Sequence, residues 1–89
     1  MTRYEISVHQ IGKEGEFHEL LENELPVNEY YGRNLDALYD ELTAQSEGWS
    51  LHFFDCDEAE KALGNYFSSF QRMCQDAEEE NPYLEIVFE

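Results

Sequence analysis

The stretch EYYGRNLDALYDELT, residues 29–43, holds the chain's densest set of groups able to do chemistry on a partner. If a helix begins after Asn34, each residue advances about 100° around its axis. Leu35, Leu38 and Leu42 then share one side. Asp36, Tyr39, Asp40 and Thr43 lie on another, displaced by roughly a third of a turn. This second side carries two carboxylates, a phenol and a hydroxyl, and the loop bearing Tyr30 leads into its start. A carboxylate accepts two parallel hydrogen bonds from an arginine, as a phosphate does, so such a face suits a basic partner. Tyrosines add contact area with a polar tip. A plainer reading competes: Asp36 in the first turn favours the helix dipole, Tyr39 covers its neighbours, and charged helix faces are usually only solvated. On these residues alone the plainer reading is preferred.

Other sites of chemistry are sparse. His9, His18 and His52 fall on three different elements, and surface or packing roles suit each. There is no HExxH, GxSxG or phosphate loop. The acids Asp55, Asp57, Glu58 and Glu60 lack the alternating ligands, central glycine and closing glutamate of a calcium loop, and Asp57 reads as a helix cap. Glu78, Glu79 and Glu80 read as a solvated helix end, poorly matched to the dipole there. No enzyme, cofactor or metal site is expected.

The elements that must position these residues follow from hydrophobic periodicity. Tyr4, Ile6 and Val8 alternate with polar residues as in a strand with one buried face. Phe17, Leu20, Leu21 and Leu25 follow helical spacing up to Pro26. Val27 to Arg33 reads as an ordered loop, and Asn34 as the N-cap of the second helix. Trp49 to Phe54 forms a second strand. A short helix capped by Asp57 runs through Leu63 to Gly64, and a fourth, capped by Asn65, buries Phe67, Phe70, Cys74 and Ala77. Asn81-Pro82 is a stop, and Leu84, Ile86 and Phe88 make a third strand. The order β-α-α-β-α-α-β favours parallel pairing through right-handed crossovers. The expected fold class is α/β: a three-stranded parallel sheet packed with about four helices, in a single domain spanning residues 1–89.

Composition sets the outer bounds. The 89 residues include 21 acidic and 5 basic side chains, a formal charge of -16. The acids run from Glu5 to Glu89, so they belong to a folded surface rather than to a tail. Solubility, a cation site or a basic protein partner could each account for them. Direct nucleic-acid binding is excluded for want of a basic patch. No apolar run approaches membrane-spanning length, and residues 1–7 show no signal-peptide core. Cys56 and Cys74 form no CxxC pair, and reduced thiols in a cytoplasmic protein are expected.

The segment resembles the signature of the barstar family, intracellular inhibitors of secreted bacterial ribonucleases such as barnase. Tyr30, Tyr31, Gly32, Asn34, Leu35, Asp36, Ala37, Leu38, Asp40, Leu42 and Thr43 match its pattern, and chain length and element order agree throughout. The resemblance implies a two-layer fold whose loop and second helix plug a basic ribonuclease active site. It implies that Asp40 is the central anion, that Asp36 is a second charged contact, and that Tyr30 packs on the nuclease. Thr43 is implied as a helix-end contact and Asp76 as a peripheral acid, on the helix side opposite the Phe67/Phe70/Cys74 stripe. Tyr39 stands where the family has an interface tryptophan, Ala44 and Gln45 where it has a glycine and a second tryptophan, Asp76 for a glutamate, and Arg33 for an acid. The expected partner is a basic ribonuclease or another basic toxin domain, bound by a protein that is monomeric when free.

Overall fold

The computed structural model describes every residue from Met1 to Glu89. Strands β1 (Thr2–Ser7), β2 (Trp49–Phe54) and β3 (Leu84–Phe88) form one parallel sheet in the order β1-β2-β3. Helices α1 (Glu14–Glu24) and α2 (Leu35–Ala44) join β1 to β2, and α3 (Cys56–Leu63) and α4 (Asn65–Glu80) join β2 to β3. This is the α/β order read from the sequence.

Parallel neighbours need crossovers, because the chain must return to the same end of the sheet. Right-handed crossovers stepping the same way leave their helices on one face, and the burial agrees. Ile6, Trp49, Leu51, Phe53, Leu84 and Ile86 are buried, whereas the alternate residues Arg3, Glu5, Ser7 and Glu85 are exposed. The register stacks Ile6, Phe53 and Phe88 across the three strands. The helices seal that side with an aromatic cluster. Phe70 of α4 meets Phe17 of α1 with ring centroids 4.8 Å apart and Phe53 at 5.3 Å, both edge to face. That is the arrangement the ring quadrupoles favour.

The helix ends depart from expectation at two places. Asp57 does not cap α3; it lies in the first turn, and the N-cap is Asp55, in a left-handed conformation (φ 63°) with no side-chain cap bond. The Asp55 carboxylate is engaged elsewhere, accepting from Ser7 Oγ at 2.6 Å. Asn65 is the first residue of α4 rather than its cap. Gly64, with φ 56°, both ends α3 and precedes α4. A positive φ at this joint is cheap only for glycine. His18 is fully buried, in the packing role open to it. Val8 lies beyond the last residue of β1 but is also fully buried, its N–H donating to Phe54 O at 2.9 Å.

Candidate partner-binding face

The loop before α2 is held from three directions. Asn28 Oδ1 accepts from Tyr30 N at 2.8 Å and Asn28 O from Tyr31 N at 3.0 Å, which closes the turn. Asn28 N donates to Glu41 Oε1 at 3.1 Å, tying the loop to α2. Inside, the Tyr31 hydroxyl bonds His18 Nδ1, and His18 Nε2 bonds the Tyr66 hydroxyl of α4. Burial pushes the Tyr31 phenol well up and the His18 imidazole down, the latter partly opposed by Glu22. A neutral imidazole offers one donor and one acceptor, and each finds a phenol. The adjacent tyrosines thus part company: Tyr31 is anchored in the core, while Tyr30 is 84% exposed.

Gly32 and Asn34 set the entry to α2. Asn34 caps it as expected, its Oδ1 accepting from Ala37 N at 2.7 Å. A Cβ at Gly32 would meet the Ala37 Cβ at 3.3 Å, so glycine makes the close approach of loop to helix without displacing Ala37. Between them Arg33 adopts φ 53°. Its guanidinium reaches back to α1 and makes two bonds to Glu22, at 2.7 and 3.1 Å. The positive charge that the sequence sets beside the site is therefore compensated away from α2, and the Glu22 carboxyl is held below its usual range by that bond.

On α2, Leu38 and Leu42 are buried, Asp36, Asp40 and Ala44 are exposed, and Tyr39 and Thr43 are half-buried. The Thr43 hydroxyl donates to Tyr39 O at 2.8 Å, so its hydrogen is spent within the helix. The Tyr39 phenol is pushed up first by burial and then by Glu80, Asp76 and Asp40. Three carboxylates from two helices thus act on one phenol. Asp76 and Glu80 are exposed on α4 and both act on the Tyr39 phenol of α2, although the sequence offered Glu80 only as part of a solvated helix end. The missing signal was the packing of α2 on α4.

That packing is braced by Asn81, which is 4% exposed. Its Nδ2 donates to Leu42 O at 2.9 Å and Gln45 O at 2.8 Å, while its Oδ1 accepts from Tyr83 N at 2.9 Å. Gln45 Nε2 in turn donates to Tyr83 O at 3.0 Å. Gln45 is thus a structural brace, and Asn81 is more than a chain stop.

The ion pairs are Arg3–Glu5 and Arg33–Glu22, with His9 beside Asp55 a third only when its ring is protonated. None involves Asp36, Asp40, Asp76 or Glu80. No group of three or more His, Cys, Asp or Glu side chains is disposed to hold a metal ion, and no helix is long and apolar enough to cross a membrane. The Cys56 and Cys74 thiols are free and buried.

The chain is thus a one-sided α/β layer pair whose second helix carries exposed carboxylates that make no ion pair within the chain. The chain matches the sequence model of a family described as "Barstar (barnase inhibitor)" over residues 1–89, and it belongs to the barstar family. It is also similar to a Bacillus subtilis (strain 168) protein named "Putative ribonuclease inhibitor YrdF". The two are 37% identical over 68 residues, covering 71% of this chain and 70% of the relative.

Proposed function

We propose that this protein is an intracellular inhibitor of a basic, barnase-like bacterial ribonuclease. It plugs the nuclease's active site with α2 and the loop before it and has no catalytic activity of its own. One observation carries the reading: Asp36 and Asp40 of α2 and Asp76 and Glu80 of α4 are exposed and make no ion pair within the chain, although Arg72 lies one turn from Asp76. Mutual repulsion among such groups opposes folding, and it is relieved when a cationic partner docks. Asp40 is the central anion, accepting from arginine or lysine side chains that otherwise hold RNA phosphate. Asp36 flanks it one turn earlier, and Tyr30, Tyr39, Thr43 and Ala44 supply contact around it. The remaining negative charge accelerates encounter with a cationic enzyme, and paired charges at the docked face slow dissociation. The free protein is a cytoplasmic monomer.

The test is inhibition of the cognate nuclease, recovered by affinity capture. Asp40→Ala abolishes inhibition while circular dichroism and urea unfolding stay those of the parent. An Asp40→Ala protein that inhibits as well as the parent removes the mechanism. A second reading draws on Gln45, which stands where the family has a tryptophan and is turned into the Tyr83 brace. With less aromatic surface there, the face would suit a basic toxin domain that is not a ribonuclease. Captured partner without RNA-cleaving activity would favour that alternative.

A further inference from the structure

The carboxyl end of the sheet carries a second constellation, unconnected to the α2–α4 face. Ser7 ends β1, His9 follows two residues later, and Asp55 lies between β2 and α3. Ser7 Oγ donates to Asp55 Oδ2 at 2.6 Å. With its hydrogen so committed, Ser7 Oγ can only accept from His9 Nδ1, 2.7 Å away. The relay places a hydrogen on Nδ1 and leaves Nε2 outside it. Gln10 and Asp55, on either side of this relay, both hold positive φ, 61° and 63°, a conformation uncommon outside glycine.

His9, Gln10, Ile11, Glu58 and Lys61 line an open cleft of about 660 Å³. That volume falls in the range of small-ligand sites, and the cleft stands at the carboxyl ends of β1 and β2. Lys61 lines the cleft, Lys13 follows the cleft residue Gly12, and neither belongs to an ion pair. The N–H groups of His9, Gln10 and Ile11 donate to no backbone carbonyl.

We propose that this cleft binds a phosphate group that retains a hydroxyl hydrogen, as in inorganic hydrogen phosphate or a phosphomonoester. Lys61 Nζ and the loop amides supply donors for the ionised oxygens. The Glu58 carboxylate supplies the acceptor for the P–OH, and His9 lines the site beside it. A fully ionised oxyanion would set bare oxygens against Glu58, and a metal cation would face Lys61. The chain's distant acids weigh little at physiological salt, where the Debye length is about 8 Å.

The test is NMR titration of the full chain with inorganic phosphate and, separately, sulfate, with ionic strength held constant by chloride. Phosphate produces saturable shifts in the His9 imidazole and in the amides of residues 9–11. Sulfate, which has no hydrogen to offer, binds at least about tenfold more weakly, the scale of one hydrogen bond. Lys61→Gln abolishes the response, and Glu58→Gln removes the preference for phosphate over sulfate. Both residues are exposed, so the fold survives. Asp40→Ala leaves the titration unchanged, which separates this site from the inhibitory face. Phosphate shifts that do not saturate, an equal response to sulfate, or an undiminished response in Lys61→Gln overturns the proposal. So does a saturable response to zinc in place of phosphate.

Discussion

Asn81→Ala and Asn81→Asp together test whether one buried side chain assembles the carboxylate face. Asn81 holds the end of α2 against the end of α4 through two donated bonds, to Leu42 O and Gln45 O, and one accepted from Tyr83 N. Each such bond contributes a net ~0.5–1.5 kcal/mol. Alanine removes all three, and partial resolvation of the freed groups returns some of the loss. The expected destabilisation is therefore about 2–4 kcal/mol, a large share of the ~4–13 kcal/mol typical for 89 residues. Aspartate is more informative. It keeps an acceptor for Tyr83 N but turns a second oxygen toward the two carbonyls, and it adds a charge at the carboxyl end of α4. The expected stability order is parent, then alanine, then aspartate. Urea unfolding followed by circular dichroism and by Trp49 fluorescence, extrapolated linearly to water, measures it. Inhibition should fall further than the folded fraction does, because Asp76 and Glu80 lose their registry with Tyr39 and Asp40. If both variants unfold within ~0.5 kcal/mol of the parent, the scatter of an unimportant surface position, the brace is not what orders this face. If aspartate matches or exceeds alanine, the donor assignment is wrong.

Tyr31→Phe leaves His18 Nδ1 buried without its partner and should destabilise by about 1–3 kcal/mol in the same unfolding assay; an unchanged midpoint would contradict the anchoring of the loop. Burial holds His18 below its ordinary value, so the unfolded chain takes up that proton first as pH falls. The stability carried by neutral His18 is thus complete above pH ~6.5 and declines below it, by at most ~1.4 kcal/mol per pH unit. Subtracting the pH profile of His18→Gln from that of the parent isolates this decline from the many carboxylates, and a flat difference would rule it out. Leu38→Ala removes a side chain that is 1% exposed and should cost about 2–5 kcal/mol by calorimetry or urea titration. Association with the cognate nuclease, followed by stopped flow, should slow by about tenfold or more between 10 and 150 mM salt, as the Debye length falls from roughly 30 to 8 Å. Dissociation should change little, and a salt-independent association rate would speak against steering.

Much of this molecule was legible in its residues because the relevant physics is local. Alternation at Tyr4–Ile6–Val8 and Leu84–Ile86–Phe88, and helical spacing at Phe67–Phe70–Cys74–Ala77, report which side of an element meets the core. Asn34 caps α2 because an asparagine at that position bonds the third helical N–H whatever lies beyond. The division of α2 into a leucine side and an Asp36/Asp40 side follows from the turn angle alone. Local reasoning failed where a side chain is claimed by a distant one. Asp57 looked like the cap of α3, but the chain turns at Asp55, whose carboxylate is bonded to Ser7, 48 residues earlier. Asn65 looked like a cap, but Gly64 alone accommodates the joint between α3 and α4.

The sequence by itself determined the element order and the carboxylate stripe of α2, since each arises from periodicity within a dozen residues, and the alternation of strands with helices favoured the parallel sheet. Only the tertiary structure decided which acids stand together outside any ion pair. It brought Asp76 and Glu80 of α4 to Tyr39, compensated Arg33 with Glu22 of α1, and seated Tyr31 on His18 so that Tyr30 faces outward. It also gathered His9, Glu58 and Lys61 around one cleft. The physical reason is common to all of them. Periodicity says which way a side chain points, but the neighbour it meets is set by crossovers and register, and those are properties of the packed chain.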